Sequence, residues 1–179
     1  MNKRIQMGVV GCAVLLGGCA SAPTWKKTVE DRLPEYGHRN WIVVADSAYP
    51  KQSAPGIETI FTDAGQIEVL EAVLKAVDAA EHVQPVIMLD AELDAVTERV
   101  ATGVDDYRAG LKELFSSREI KIMKHDDIIR QLDAGSKLFN VLLLKTNMTI
   151  PYTSVFIKLD CGYWSAEKEA QLRETLELE

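Results

Sequence analysis

The chain has 179 residues, 47% of them hydrophobic, and a formal net charge of −7. That is the length of one domain, with enough apolar side chains to build its own core. An acidic chain without a basic cluster argues against nucleic acid or an anionic membrane surface as a partner.

The opening "MNKRIQMGVVGCAVLLGGCASAP" carries Lys3 and Arg4, then an apolar stretch, then small residues. This is the pattern of a secretory signal, too short for a transmembrane span. "LGGC", residues 16–19, resembles a bacterial lipobox. The resemblance implies removal of residues 1–18 and acylation of Cys19. Ala20 and Ser21 follow, not an aspartate. By resemblance to Gram-negative lipoproteins this implies a lipid anchor in the cell envelope, at the outer membrane and facing the periplasm. The blander alternative is an ordinary secretory signal with a chance cysteine. Of three cysteines, Cys12 falls in the signal, Cys19 would be lipidated and Cys161 is left alone. No intrachain disulfide is then available, and the core must supply the stability.

Residues 19–26 read as a lipidated tether. "VEDRLPEY" suggests a short helix with Gly37 as its C-terminal cap. "WIVVA", residues 41–45, is a short apolar run, the mark of a strand buried on both faces. The loop "SAYPKQSAPG" follows, punctuated by Pro50, Pro55 and Gly56. After "IETIF", Asp63 suits the start of a helix, and Ile67, Leu70, Leu74 and Val77 recur at helical spacing. "PVIML" is a second buried strand. Residues 105–115 read as a helix with Tyr107, Leu111, Leu114 and Phe115 on one side. "EIKIM" is a strand, and residues 126–132 a short helix stopped by Gly135. "FNVLLLK" and "TSVFIKL" are two more strands. Residues 165–179 form a charged helical extension.

Strands alternating with helices predict an α/β fold, a three-layer α/β/α sandwich with a largely parallel sheet. Residues 27–164 make one domain, with no internal repeat and no low-complexity segment. P-loop, G-x-G-x-x-G, HExxH, paired CxxC and G-x-S-x-G patterns are all missing from the sequence. That removes most common α/β enzyme classes.

The stretch "GHRNWIVVADSAYP" places His38 before an apolar strand and Asp46 after it. It resembles the segment G-H-x-D/N-x-[IL]-V-x-x-D-A-x-x-P of the D-ribose pyranase / L-fucose mutarotase family (RbsD/FucU). "PVIMLDAELD" is similar to that family's central strand and acidic loop. "IKIMKHDDIIRQ" resembles the strand and helix start that carry a sugar-contacting histidine in the pyranases. "PYTSVFIK" resembles the C-terminal Y-x-N segment. The resemblance spans about residues 27–160 and follows the family's order.

The resemblance implies an isomerase that interconverts sugar anomers or ring forms by opening and reclosing the ring, with no metal or other cofactor. His38 matches the proton donor and Asp46 the sugar-binding aspartate. His125 matches the pyranase histidine, and Tyr152, Thr153 and Ser154 match the Y-x-N segment. Ser154 departs from the family's asparagine, exchanging a longer arm with donors and an acceptor for a short hydroxyl. The helix after Trp164 extends past the usual family end. The resemblance further implies a monosaccharide partner, ribose, fucose or a related pyranose, and a homo-oligomer, since family members form rings, decamers in several cases. A non-catalytic carbohydrate-binding lipoprotein on the same fold is the alternative, and a purely structural envelope protein a third.

Taken alone, His38 is a loop histidine, Asp46 a turn residue, His125 a helix cap and Tyr152 a core residue with a satisfied hydroxyl. Ligands of open α/β sheets nonetheless gather beyond the strands' carboxyl ends, where Asp46 lies. Along an extended chain His38 and Asp46 stand up to ~26 Å apart. One sugar reaches both only if the chain doubles back or if two subunits share the site. His82 and Cys161 read as structural.

Overall fold

The run Trp41–Ala45 forms strand β1 with every side chain buried, as a strand covered on both faces requires. In the computed structural model, which describes residues 24–177, five more strands join it. They are β2 (Ile57–Phe61), β3 (Val83–Asp90), β4 (Ile120–Met123), β5 (Val141–Lys145) and β6 (Val155–Cys161). The helices are α1 (Thr24–Arg32), α2 (Gln66–Asp78), α3 (Val104–Leu114), α4 (His125–Ser136) and α5 (Ala166–Glu177). The signal segment, the lipobox and Cys19 lie outside the described residues.

The sheet order is β2-β5-β1-β6-β3-β4. Strands β1, β2 and β5 pair in parallel, as do β3 and β4. Strand β6 is antiparallel to both β1 and β3. The sheet is therefore mostly parallel, as the sequence predicts, with one reversed strand near its middle. That reversal decides which end of the sheet each candidate residue occupies. The start of β6 lies at the carboxyl ends of β1 and β3, with Val155 opposite both Val44 and Leu89. Its far end lies by their amino ends, with Lys158 opposite Trp41 and Val86.

Alternate side chains of each strand go to opposite faces. Ile42, Val44, Ile87, Val155 and Ile157 pack with α1, α2 and α3. Trp41, Val43, Met88, Leu143 and Phe156 pack with Ile128 and Leu132 of α4. These are the three layers predicted from the alternation of elements.

Several local expectations are corrected. Residues 24–26, read from the sequence as part of a tether, belong instead to α1, which buries Trp25 and Val29. Gly37 is not a helix cap; a 3-10 turn, Leu33–Glu35, ends at Tyr36 instead. Asp63 does not cap α2, whose N-cap is Gly65. Asp63 adopts a left-handed φ of 51° and accepts a hydrogen bond from Asn147 Nδ2 at 3.2 Å. Gly135 does not stop α4, which runs on to Ser136. A Cβ there would meet Trp41 Nε1 at 2.9 Å, so this glycine serves close packing rather than termination. Strand β2, not among the predicted strands, is a half-buried strand of mixed polarity, paired among the described residues only to β5. Helix α5 carries Leu172 and Leu176 exposed. Among the described residues no helix is long and apolar enough to cross a membrane.

Candidate functional site

The carboxyl ends of β1 and β3 and the start of β6 converge on one cluster. Asp46 follows β1 directly, Asp90 is the last residue of β3, and Tyr152 and Ser154 lead into β6. His125 is the first residue of α4, just after β4.

Asp46 is held as an acceptor. Its Oδ2 takes the Ser154 hydroxyl at 3.0 Å and its Oδ1 the Ala48 N–H at 2.8 Å. Ser154 is 2% exposed and also accepts the Asp46 N–H at 3.3 Å. Its hydroxyl is therefore committed to Asp46 within this chain. Thr153 is 1% exposed and its hydroxyl donates to the Ile150 carbonyl at 2.7 Å. Its own carbonyl accepts from Tyr107 Oη and Gln66 Nε2. Thr153 thus fixes the turn and offers no group to the surface.

His125 is gripped twice. Both carboxylate oxygens of Glu92 accept its main-chain N–H, at 2.9 and 3.2 Å. Its Nδ1 lies 2.9 Å from Asp90 Oδ2. The ring is flanked edge-on by Tyr152, centroids 5.7 Å apart, and by Phe156 at 6.4 Å. Tyr152 itself sits at a φ of 60°, a conformation that costs a bulky residue free energy and clusters at functional sites.

Burial pushes the Asp90 carboxyl up to about 6, against the downward pull of its hydrogen bond from His125. Sequence reasoning missed Asp90 as a site residue. The signal was there: "VIMLD" ends on an aspartate just as "IVVAD" does.

His38 lies at the other end of the sheet. Its Nδ1 is 2.7 Å from Asp160 Oδ1, near the end of β6. Burial alone would raise the Asp160 carboxyl. The Cys161 N–H and the His38 contact outweigh that and bring it below the ordinary carboxylate value. A hollow of about 360 Å³ opens beside the pair, lined by Val86, Met88, Lys121, Lys158 and Gln131. The structure thus brings Asp46, His125 and Tyr152 together and leaves His38 apart from them. A larger cleft, about 980 Å³, runs between α1 and α2 over Trp25, Val29, Ala72 and Ala76. His82 at its edge is tied to the Tyr36 carbonyl at 2.9 Å, which fits the structural role read from the sequence. Among the described residues no group of His, Cys, Asp and Glu side chains is arranged to hold a metal ion.

No family model and no curated protein matches this chain. Solved structures do match. The chain is similar in fold to Bacillus subtilis RbsD complexed with D-ribose, at 19% identity and a TM-score of 0.54, over 77% of this chain and 93% of that one. It is similarly close to a fucose mutarotase from Streptococcus pneumoniae in complex with L-fucose, at 18% identity and a TM-score of 0.51, over 80% and 94%. At such identities the likeness is one of fold.

Proposed function

We propose that this protein is a monosaccharide mutarotase or pyranase, whose substrate is a ribose-, fucose- or related pyranose. The observation that carries the reading is the convergence of Asp46, His125 and Tyr152 at the carboxyl end of the sheet, on a fold shared with two sugar-bound proteins. Asp46 presents an anchored carboxylate to sugar hydroxyls. Tyr152 offers an aromatic face, the usual complement to the apolar face of a pyranose.

Ring opening needs a proton removed from the anomeric hydroxyl and a proton delivered to the ring oxygen. The C1–O ring bond breaks as C1=O forms. Rotation about C1–C2 and reclosure return both protons. Positioned acid–base groups contribute about 10²–10⁴-fold to such transfers. His38, matched by sequence to the family's donor, lies at the wrong end of its own chain for this cluster. Tyr152 is 41% exposed and the His125 side chain 34%, so one chain leaves the cluster open. Both features support a site completed by His38 of a second copy in a homo-oligomer. The lipobox supports a lipid anchor at Cys19 in the cell envelope.

The test is anomer-exchange NMR with ribose, fucose, galactose and glucose. Acceleration of none of them sinks the catalytic reading. Mixing two inactive variants, His38→Ala and Asp46→Ala, should restore activity if subunits share the site, and no restoration would count against a shared site. The second reading is a non-catalytic sugar-binding protein. It is favoured by Ser154, whose hydroxyl is committed to Asp46. Calorimetric binding without exchange selects it.

A further inference from the structure

We infer that Asp90 is a positioning residue that makes His125 a proton carrier of the sugar site, rather than a ligand contact alone. The inference rests on the sugar reading above and adds a second acid–base group to it.

The geometry is that of a carboxylate–imidazole pair. Asp90 Oδ2 lies 2.9 Å from His125 Nδ1, and the Asp90 side chain is fully enclosed. An ionised carboxylate only accepts, so Nδ1 must carry the proton. In the neutral ring Nε2 is then the bare, basic nitrogen. Among the described residues nothing hydrogen-bonds Nε2, and the side chain is 34% exposed. With Nδ1 held by Asp90, Nε2 is the ring nitrogen left for a ligand.

The pairing is not needed to start α4. Glu92 already accepts the His125 N–H with both oxygens. Asp90 adds nothing to that cap, and burying it is costly, because among the described residues Oδ1 has no hydrogen-bond partner. A buried carboxylate with one idle oxygen is a poor structural device. It is a good orienting one, because the ring is also walled by Tyr152 and Phe156 and is left one orientation. Above about pH 6 Asp90 is ionised, so the orientation holds at neutrality.

In ring opening, neutral His125 takes the anomeric proton at Nε2 as C1=O forms and the C1–O ring bond breaks. The ring oxygen takes a proton from protonated His38 of a second copy. Reclosure on the other face of the aldehyde reverses both transfers and restores both histidines.

The experiment pairs ¹⁵N NMR of the imidazoles with exchange kinetics, on wild type, Asp90→Asn and His125→Gln. Wild-type neutral His125 should be the Nδ1–H tautomer. Asp90→Asn, whose amide also donates, should shift it toward the Nε2–H tautomer. It should also slow exchange by about 10²–10⁴-fold while sugar affinity changes little. His125→Gln should slow exchange at least as much, and it carries the test if Asp90→Asn fails to fold. An Nε2–H tautomer in wild type overturns the inference, as does wild-type exchange in either variant. Those results leave the sugar reading standing. Wild type that neither binds nor exchanges any sugar overturns that reading instead, and the tautomer still reports whether Asp90 orients the ring.

Discussion

Asp46 and Ser154, 108 residues apart, hold each other across the join of β1 and β6: the serine hydroxyl donates to Oδ2 at 3.0 Å and accepts the aspartate N–H at 3.3 Å. Ser154→Ala removes one donor from the carboxylate and leaves that N–H unpaired, which should cost about 1–3 kcal/mol of stability. Sugar affinity should fall less than in Asp46→Ala, where loss of a charge-assisted bond costs about 1.5–3 kcal/mol. Melting curves and calorimetry check both, and an Asp46→Ala protein with wild-type affinity would remove Asp46 from the site.

His38→Ala should slow anomer exchange by about 10²–10⁴-fold. Affinity should fall far less, because a proton donor acts mainly in the transition state. Asp160→Asn should slow exchange to a smaller extent by loosening the His38 ring. It should leave the melting temperature nearly unchanged, since both side chains are about half exposed, at 51% and 44%. Exchange rates beside thermal melts decide it; an Asp160→Asn rate as low as that of His38→Ala would contradict a merely orienting role.

Asp90 makes a pH prediction. Its carboxyl is raised to about 6 by burial, with Glu92 and Asp46 pushing the same way and His125 opposing. A group bound more tightly to its proton in the folded state stabilises the fold at low pH and loses that stability as pH rises. The loss should run from about pH 4 to pH 6 and amount to roughly 1–3 kcal/mol. Asp90→Asn lacks the ionisation, so its stability should gain on that of wild type across this window. Urea titrations at several pH values test it, and parallel profiles for the two proteins would refute it.

Gly162→Ala should destabilise the fold by about 1–3 kcal/mol. A Cβ there would sit 2.5 Å from the Glu81 carbonyl and 2.9 Å from the Val83 backbone, atoms that cannot swing aside. The Gly162 N–H is also tied to the His82 carbonyl at 3.1 Å. The strain falls where β6 meets β3, at the His38 end of the sheet. Sugar affinity at the Asp46 end should therefore survive; denaturation and calorimetry separate the two.

Cys19→Ser should abolish incorporation of a labelled fatty acid and release the chain from the membrane fraction. Incorporation that persists in the variant would place the lipid elsewhere.

The apolar runs in "WIVVA", "PVIML" and "VLLL" were legible because burial on both faces writes itself into consecutive residues. The same runs marked His38, Asp46, His125 and Tyr152 as candidates, because each lies beside such a run. The edge strand β2 was less legible, since a half-buried edge relaxes the pattern. Gly135 misled because a glycine demanded by Trp41 looks the same in sequence as one that ends a helix. Tertiary structure alone decided the reversal of β6. Antiparallel and parallel strands satisfy their backbone groups equally from either direction, so no local pattern states which way a buried strand runs. That one direction places Ser154 against Asp46 and Asp160 against His38, 122 residues away, and so sets the candidate residues at two opposite ends of the sheet.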